Sequence, residues 1–440
     1  MKALFSILWV ILIAIVLCSC MVAQSKEIEC DCFPDEVIFE LINPADLPAI
    51  AAQYKLVATP IAQLGNPPTY RMKIDRGPNG TNQTASQIIQ QMSLDPRIAK
   101  PELHRKVFML ERIGLSWTQG RSWAIGRSWA IGSGSKGFIK QWFPSLIRLS
   151  AAHEFSRGRR SDNNQPVTIA VLDTGIDTRH QIFQGRLVQG YDFVDGDTDP
   201  SEVGAPYVNP AYGHGTHVSG IIALVAPEAR IMPIRVLDEN GEGDFWRIAE
   251  AIVWAANHGA DVVNISFGHP QQTQLLRDLL DACSDGTTTT GKTFPEIGIN
   301  RLFFSIAAGN SGDNTFIYPA ADADDSNGSL AIGASTRFDR LAQFSTFHNR
   351  VKLVAPGENI VSAIPGDRYA FWSGTSMAAP IVSAVAALVK ARYPNLNPVE
   401  IAERVEQTSV RISYGNPQIR INRVDALCAV TLIPPATCNP

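Results

Sequence analysis

Two histidines, His214 and His217, stand three residues apart in AYGHGTHVSG, residues 211–220, among glycines and small polar side chains. Three roles fit that spacing: a pair of metal ligands on one helical face, a general base with a neighbour, or plain packing. Metal ligation by two histidines calls for a third ligand nearby, and no HExxH is present; HEFSR at 153–157 lacks the second histidine. Two other places bear on the choice. VLDTGID sets Asp173 directly after a run of strand-type residues, and WSGTSMAAP sets Ser376 among residues too small to block access. A serine hydroxyl is a weak nucleophile until a base takes its proton. An imidazole can be that base near neutral pH. A carboxylate behind the imidazole fixes its tautomer and stabilises the imidazolium. The three residues are far apart along the chain, so only a fold can unite them.

The elements that would carry them are legible from about residue 140 onward. VTIAVLD, RIMPIRVL, ADVVNISF, RLFFSIAA, SLAIGA and VKLVAP are short, apolar, β-branched runs. Between several of them lie helical stretches such as FWRIAEAIVWAANHGA and SMAAPIVSAVAALVKARY. Apolar strands alternating with helices predict an α/β domain, a parallel sheet covered on both faces, over residues 141–440. Sites in such sheets lie at the carboxyl ends of strands. Upstream, residues 36–108 read as β-α-β-β-α-β, a small α+β ferredoxin-like unit inside a 25–110 domain. Residues 111–140 read as an exposed Gly/Ser linker holding RSWAIG twice, at 121–126 and 127–132; two copies of so short a unit do not make a solenoid.

The three blocks, in the order Asp, His, Ser, resemble the subtilisin-like serine peptidases, or subtilases, whose triad runs in that order. The resemblance spans roughly residues 140–430. It implies a peptidase with Asp173, His214 and Ser376 as triad, acting on polypeptides. It implies that Asn310, in AAGNSG, stabilises the oxyanion together with the backbone N–H of Ser376. Gly241, Glu242, Gly243 and Phe245 in GEGDFW, and Ser266, Phe267 and Gly268 in SFGH, match the two segments that sandwich an extended substrate. Phe245 and Phe267 would line an apolar subsite, and Glu242 would favour a basic residue nearby. Ser311, in place of a carboxylate, creates no demand for Lys or Arg at the scissile residue. Residues 25–110 look like the family's propeptide, an intramolecular inhibitor, with self-cleavage expected after Val107 and before residue 140.

No cofactor is required for such chemistry. Many relatives carry a calcium-binding loop after the histidine helix, and GIIALVAPEARI leaves no room for it. Structural calcium stays open at DFVDGDTDP, Asp192 to Pro200, whose oxygen-rich residues suit Ca²⁺ and are equally ordinary turn formers.

The 440 residues are 45% hydrophobic and 18% charged, a globular composition long enough for two domains. Lys plus Arg number 38 against 42 Asp plus Glu, so there is no basic excess to favour nucleic acid as a partner. A monomer is expected. Residues 1–24 carry one lysine and then an uncharged apolar run, the pattern of a signal peptide or an anchor; LCSC resembles a lipoprotein box with Cys20 as the lipidated residue. Each version sends the protein out of the cytoplasm, secreted or held at the outer face of the membrane. A Cys428–Cys438 disulfide suits that compartment. Cys283 lies in DACSDGTTTTGKTFPEIG, read as an insertion forming a surface loop at the cleft rim. Asn264 belongs to an N-x-S sequon on an apolar strand, a poor glycosylation site. The competing readings are a catalytically silent, peptide-binding version of the same fold and a metal hydrolase using His214 and His217.

Overall fold

The structure is a computed structural model that describes residues 31–113, 134–206, 208–284, 286, 288, 290–298, 301–412 and 421–431. The leader, both RSWAIG copies and Cys438 lie outside the described residues.

The N-terminal unit comprises β1 (Cys32–Leu41), α1 (Leu47–Gln53), β2 (Ala62–Leu64), β3 (Thr69–Lys73), α2 (Ala85–Met92) and β4 (Ile98–Met109). Its strands are antiparallel in the order β4-β1-β3-β2. Helix α2 starts with a capping box in which Thr84 and Gln87 each satisfy the other's backbone N–H. The core of this unit holds Val37, Phe39, Ile50, Met72 and Ile88, alternate strand positions meeting one face of each helix.

The larger unit is built on nine strands: β5 (Thr168–Asp173), β6 (Tyr191–Asp192), β7 (Arg230–Arg235), β9 (Val262–Ile265), β11 (Phe303–Ala307), β12 (Ser329–Ser335), β13 (Leu353–Pro356), β16 (Val410–Ile412) and β17 (Ile421–Arg423). Their order is β16-β17-β13-β12-β11-β9-β5-β7-β6, parallel throughout except for the β16–β17 edge pair. Four short strands lie outside this sheet: β8 (Glu242–Asp244), β10 (Phe267–Gly268), β14 (Ile360–Ile364) and β15 (Arg368–Trp372). The main helices are α3 (His214–Val225), α4 (Phe245–Asn257), α5 (Gln274–Ser284), α6 (Thr375–Arg392) and α7 (Pro398–Gln407). Helices α3 and α6 belong to one apolar cluster and α4 and α5 to another, so the sheet is covered on both faces, the subtilisin-like α/β arrangement. Central strands such as β11, FFSIA, are buried at every position, which is why they read as continuous apolar runs without alternation. Helix α6 is buried nearly all round, a helix that passes through the core and does not lie on it.

One strand joins the two units. Lys106–Phe108 of β4 pairs antiparallel with β8, and Phe108–Met109 pairs antiparallel with β10 on the other side. The end of β4 is thus sandwiched by the two segments, Gly241–Trp246 and Ser266–His269, that the family resemblance marks as the substrate cleft.

Three expectations change. The segment read as a cleft-rim insertion begins as helix: Cys283 is fully buried in α5, and burial pushes its thiol up to about 12. Further along, the same segment grips the N-terminal unit. Lys292, 1% exposed, is ion-paired to Glu40 at 2.8 Å and donates to Thr69 Oγ1 at 2.8 Å. The stretch read as linker is also shorter than 111–140, because a helix over Gly134–Ile139 packs against the body, with the Phe138 ring 5.2 Å from that of Tyr369. Finally, the carboxylates at 192–200 are already engaged. Asp192 and Asp195 each bind the buried guanidinium of Arg235 at 2.6 Å, and Asp192 Oδ1 accepts the N–H groups of Val194 and Asp195. Asp192 and Asp195 thus already face a cation, the Arg235 guanidinium.

Candidate active site

Asp173 is the last residue of β5 and is fully buried. His214 is the first residue of α3, 1% exposed. Two glycines let them meet. Gly213 takes the left-handed conformation, φ +90°, that turns the chain into the helix. Gly215 lies so close to the strand end that an added Cβ would overlap the Gly175 carbonyl and stand 3.1 Å from the Asp173 Cβ. With that approach, the His214 Nδ1 reaches Asp173 Oδ1 at 2.7 Å. Asp173 Oδ1 also accepts the N–H of Thr174 at 2.8 Å. An imidazole held this way donates from Nδ1 and presents Nε2 to whatever faces it.

Ser376 is the second residue of α6, fully buried, and its hydroxyl donates to the Ser266 carbonyl at 3.3 Å. Ser266 Oγ donates back to the Ser376 carbonyl at 3.3 Å. That carbonyl lacks its usual intrahelical partner because the residue four positions on, Pro380, has no N–H. Asn310, 2% exposed, follows β11. Its amide oxygen is fixed by two donors, Thr375 N at 2.9 Å and Thr375 Oγ1 at 3.0 Å, and Thr375 Oγ1 in turn accepts the Gly309 N–H at 3.1 Å. With the oxygen committed, the amide nitrogen has to point the other way, into the site.

The occupant of that site is Glu111, a residue the sequence reading did not single out. Its carboxylate is 2% exposed. One oxygen accepts from Asn310 Nδ2 at 3.3 Å. The other lies 3.3 Å from His214 Nε2. A Cβ at Gly374, two residues before Ser376, would overlap Glu111 Oε1. A single carboxylate therefore touches the imidazole, the amide donor and the start of the serine helix, which places all three around one small volume. Burial lowers the basicity of His214, but the charges of Asp173 and Glu111 and the hydrogen bond to Asp173 outweigh it and raise its pKa to about 10.

His217 turns out otherwise. Its ring stacks on Trp372 at 4.5 Å with 6° between planes, and its Nε2 meets the Ala370 carbonyl at 3.2 Å. Burial drives its pKa down to about 3, so it is neutral. Among the described residues no group of three His, Cys, Asp or Glu side chains could hold a metal ion.

Of the residues expected to line a cleft, Gly243 and Glu242 pair with Val107 and Phe108, Gly241 accepts the Met109 N–H at 2.9 Å through its carbonyl, and Phe267 and Gly268 pair with Met109 and Phe108. Glu242 is ion-paired to Lys106 at 3.3 Å, a basic residue of the strand in the cleft. Phe245 and Phe267 are buried in the same apolar cluster as Val107 and Met109. Leu110 is fully buried, and Gly268 stands so close that an added Cβ would lie 3.6 Å from its Cδ2. Asn264 is also buried, its amide spent on Ser266 Oγ at 3.0 Å and Ser383 Oγ at 2.9 Å.

The sequence pattern of the subtilase family matches residues 164–426. A thermophilic serine proteinase of Bacillus sp. (strain AK1) is 39% identical over 274 residues, covering 60% of this chain and 61% of that one. Subtilisin Savinase of Lederbergia lenta is 33% identical over 284 residues, covering 62% of this chain and 93% of that one. Among solved structures, a protease from Pseudoalteromonas arctica PAMC 21717 superposes with a TM-score of 0.55 at 27% identity, covering 67% of this chain and 97% of that one. A match over well more than half of its length, on a fold of the same kind, makes this chain a member of the subtilase family.

Proposed function

We propose that the protein is a secreted serine endopeptidase made as a self-processing precursor. The observation that carries this reading is the buried Asp173–His214 contact at 2.7 Å, with the second ring nitrogen turned toward a volume it shares with the Asn310 amide. In the proposed reaction, the Ser376 oxygen attacks a peptide carbonyl while its proton passes to His214 Nε2. Asp173 stabilises the imidazolium that forms. Asn310 Nδ2 and the Ser376 N–H hold the negative carbonyl oxygen. The imidazolium then gives its proton to the leaving amine, and water, activated by the same imidazole, releases the acyl group.

Substrate would enter as a strand between β8 and β10, hydrogen-bonded to both edges. In the uncut chain β4 takes that place. Residues 106–109 run along the cleft, Leu110 is buried beside Gly268, and Glu111 reaches the imidazole and the amide donor. The bond between Leu110 and Glu111 is accordingly the proposed site of self-cleavage, and residues 25–110 the proposed inhibitor. The Glu111 carboxylate beside Nε2 favours the protonated imidazole, a poor base, so its displacement is proposed to favour processing.

A fluorophosphonate probe tests the reaction class. Labelling of the processed protein is expected, with none after Ser376→Ala. Labelling that survives the substitution overturns the reading, and activity lost to chelators but untouched by fluorophosphonate favours the metal reading. N-terminal sequencing of the processed form should begin at Glu111.

A further inference from the structure

The first turn of a helix carries N–H groups without intrahelical partners, and they need acceptors. Helix α3 has no side-chain cap at Gly213. The acceptor comes from twelve residues before His214. The carboxylate of Glu202 takes the Gly213 N–H at 3.0 Å on Oε2 and the Thr216 N–H at 3.0 Å on Oε1. The Thr216 hydroxyl adds a third bond to Oε1 at 3.0 Å. The same carboxylate accepts the hydroxyl of Thr174, 3.2 Å from both oxygens. Thr174 follows Asp173 directly, and its Oγ1 also accepts the Gly215 N–H at 3.0 Å.

Those bonds form a closed frame around the Asp173–His214 contact. One side is the end of β5, where the Thr174 N–H holds Asp173 Oδ1 at 2.8 Å. The other is the start of α3, where the cap residue 213 and residues 215 and 216 of the first turn are all pinned to Glu202 or Thr174. His214 sits inside the pinned turn. A negative charge at a helix N-terminus is also favourable toward the helix dipole. We propose that Glu202 is a positioning residue for the Asp173–His214 pair, tying strand end to helix start so that imidazole and carboxylate stay in register through the proton transfers. The proposal rests on the reading of that pair as part of a serine-peptidase triad. Burial, and after the backbone bonds the nearby Asp173 charge, leave the Glu202 pKa at about 6, so at neutral pH the carboxylate is ionised and accepts all of these donors.

The test uses the full chain and its processed form, with active sites counted by fluorophosphonate so that misfolded protein does not enter the rate. Glu202→Gln keeps the shape but turns an NH₂ toward backbone donors. Thr174→Val removes only the hydroxyl that links the two sides. Displacement of a catalytic group by a fraction of an ångström to 1 Å costs up to about a hundredfold in rate. Both variants should lose roughly tenfold to a hundredfold in kcat per counted site, with KM within about twofold of the parent. The low-field proton resonance of His214 Nδ1–H should shift or broaden in both. A kcat per counted site within twofold of the parent in both variants overturns the proposal, as does parallel change in kcat and KM, or an unshifted low-field proton. If Glu202→Gln does not fold, Thr174→Val decides alone. A parent that resists fluorophosphonate refutes the triad reading instead, and the low-field proton still reports on the pair in that case.

Discussion

His214 and His217 share one helix, one residue type and nearly complete burial, yet their surroundings pull them in opposite directions. His214 faces two carboxylates and is held protonated, with a pKa of about 10. His217 faces an indole and a carbonyl and stays neutral, with a pKa of about 3. Neither value follows from the pattern HGTH. Both follow from what the fold places opposite each ring: Asp173 and Glu111 in one case, Trp372 and Ala370 in the other. Proton-transfer capacity in this helix is a property of the partner set, and one turn is enough to change it.

Substitutions can break the contrast from either side. Asp173→Asn leaves His214 without its anionic partner and favours the wrong tautomer; turnover should fall about 10⁴-fold, the size seen for the same change in another Asp–His–Ser triad. Asn310→Ala spares both histidines but empties the amide position, and kcat should drop by about 10²–10³, as for loss of this donor in a subtilisin. Glu111→Gln removes one of the two charges beside His214. A single pKa unit corresponds to a tenfold change in the fraction of free base, so conversion of precursor to mature enzyme at pH 7 should speed up about tenfold, read by gel densitometry. An unchanged or slower conversion would mean that Glu111 does not restrain His214. His217→Ala should leave kcat per counted site within about threefold while lowering stability by about 2–4 kcal/mol through lost packing on Trp372, measured as a fall in Tm.

Titration sharpens the same contrast with the smallest effects. In the uncut chain the folded pKa of His214 lies above its ordinary 6.5, so its contribution to stability is complete below pH 6.5 and disappears as pH rises through about 10. His217 lies below 6.5, so the unfolded chain binds its proton more readily; stability contributed by the neutral ring is present above pH 6.5 and is lost as pH falls toward about 3. Unfolding free energies measured on either side of neutrality should therefore slope in opposite directions for the two residues. His217→Ala should flatten only the acid side, and Glu111→Gln mainly the alkaline side.

The chemistry was legible where residue type and spacing constrain it tightly. Asp173, His214, Ser376 and Asn310 stand in short blocks of small residues at element ends; the fold sets Asp173 against His214, lays Glu111 between His214 and Asn310, and turns the Ser376 hydroxyl to the Ser266 carbonyl. The two carboxylates that complete the picture were not legible. Glu111 lies in the short helical turn after β4 and in no motif, and its position depends on β4 threading between two segments more than a hundred residues away. Glu202 is part of an irregular stretch whose only signal was indirect: a helix start, YGHGTH, with no Ser, Thr, Asp or Asn at the cap and so a need for an acceptor from elsewhere. Cys283 was misplaced for a related reason. The polar run after it reads as loop, and the apolar side of α5 that buries it becomes visible only once the helix is docked.

The shared strand has one more consequence. Unpaired sheet edges are where proteins adhere to copies of themselves, and β8 and β10 each offer such an edge. While β4 fills the slot, both edges are capped from a single source, so the newly made chain shows neither to its neighbours. Under the proposed processing, solubility during synthesis and restraint of the enzyme would be the work of the same few backbone hydrogen bonds, and a cut chain that shed its N-terminal unit would expose both edges as it became active.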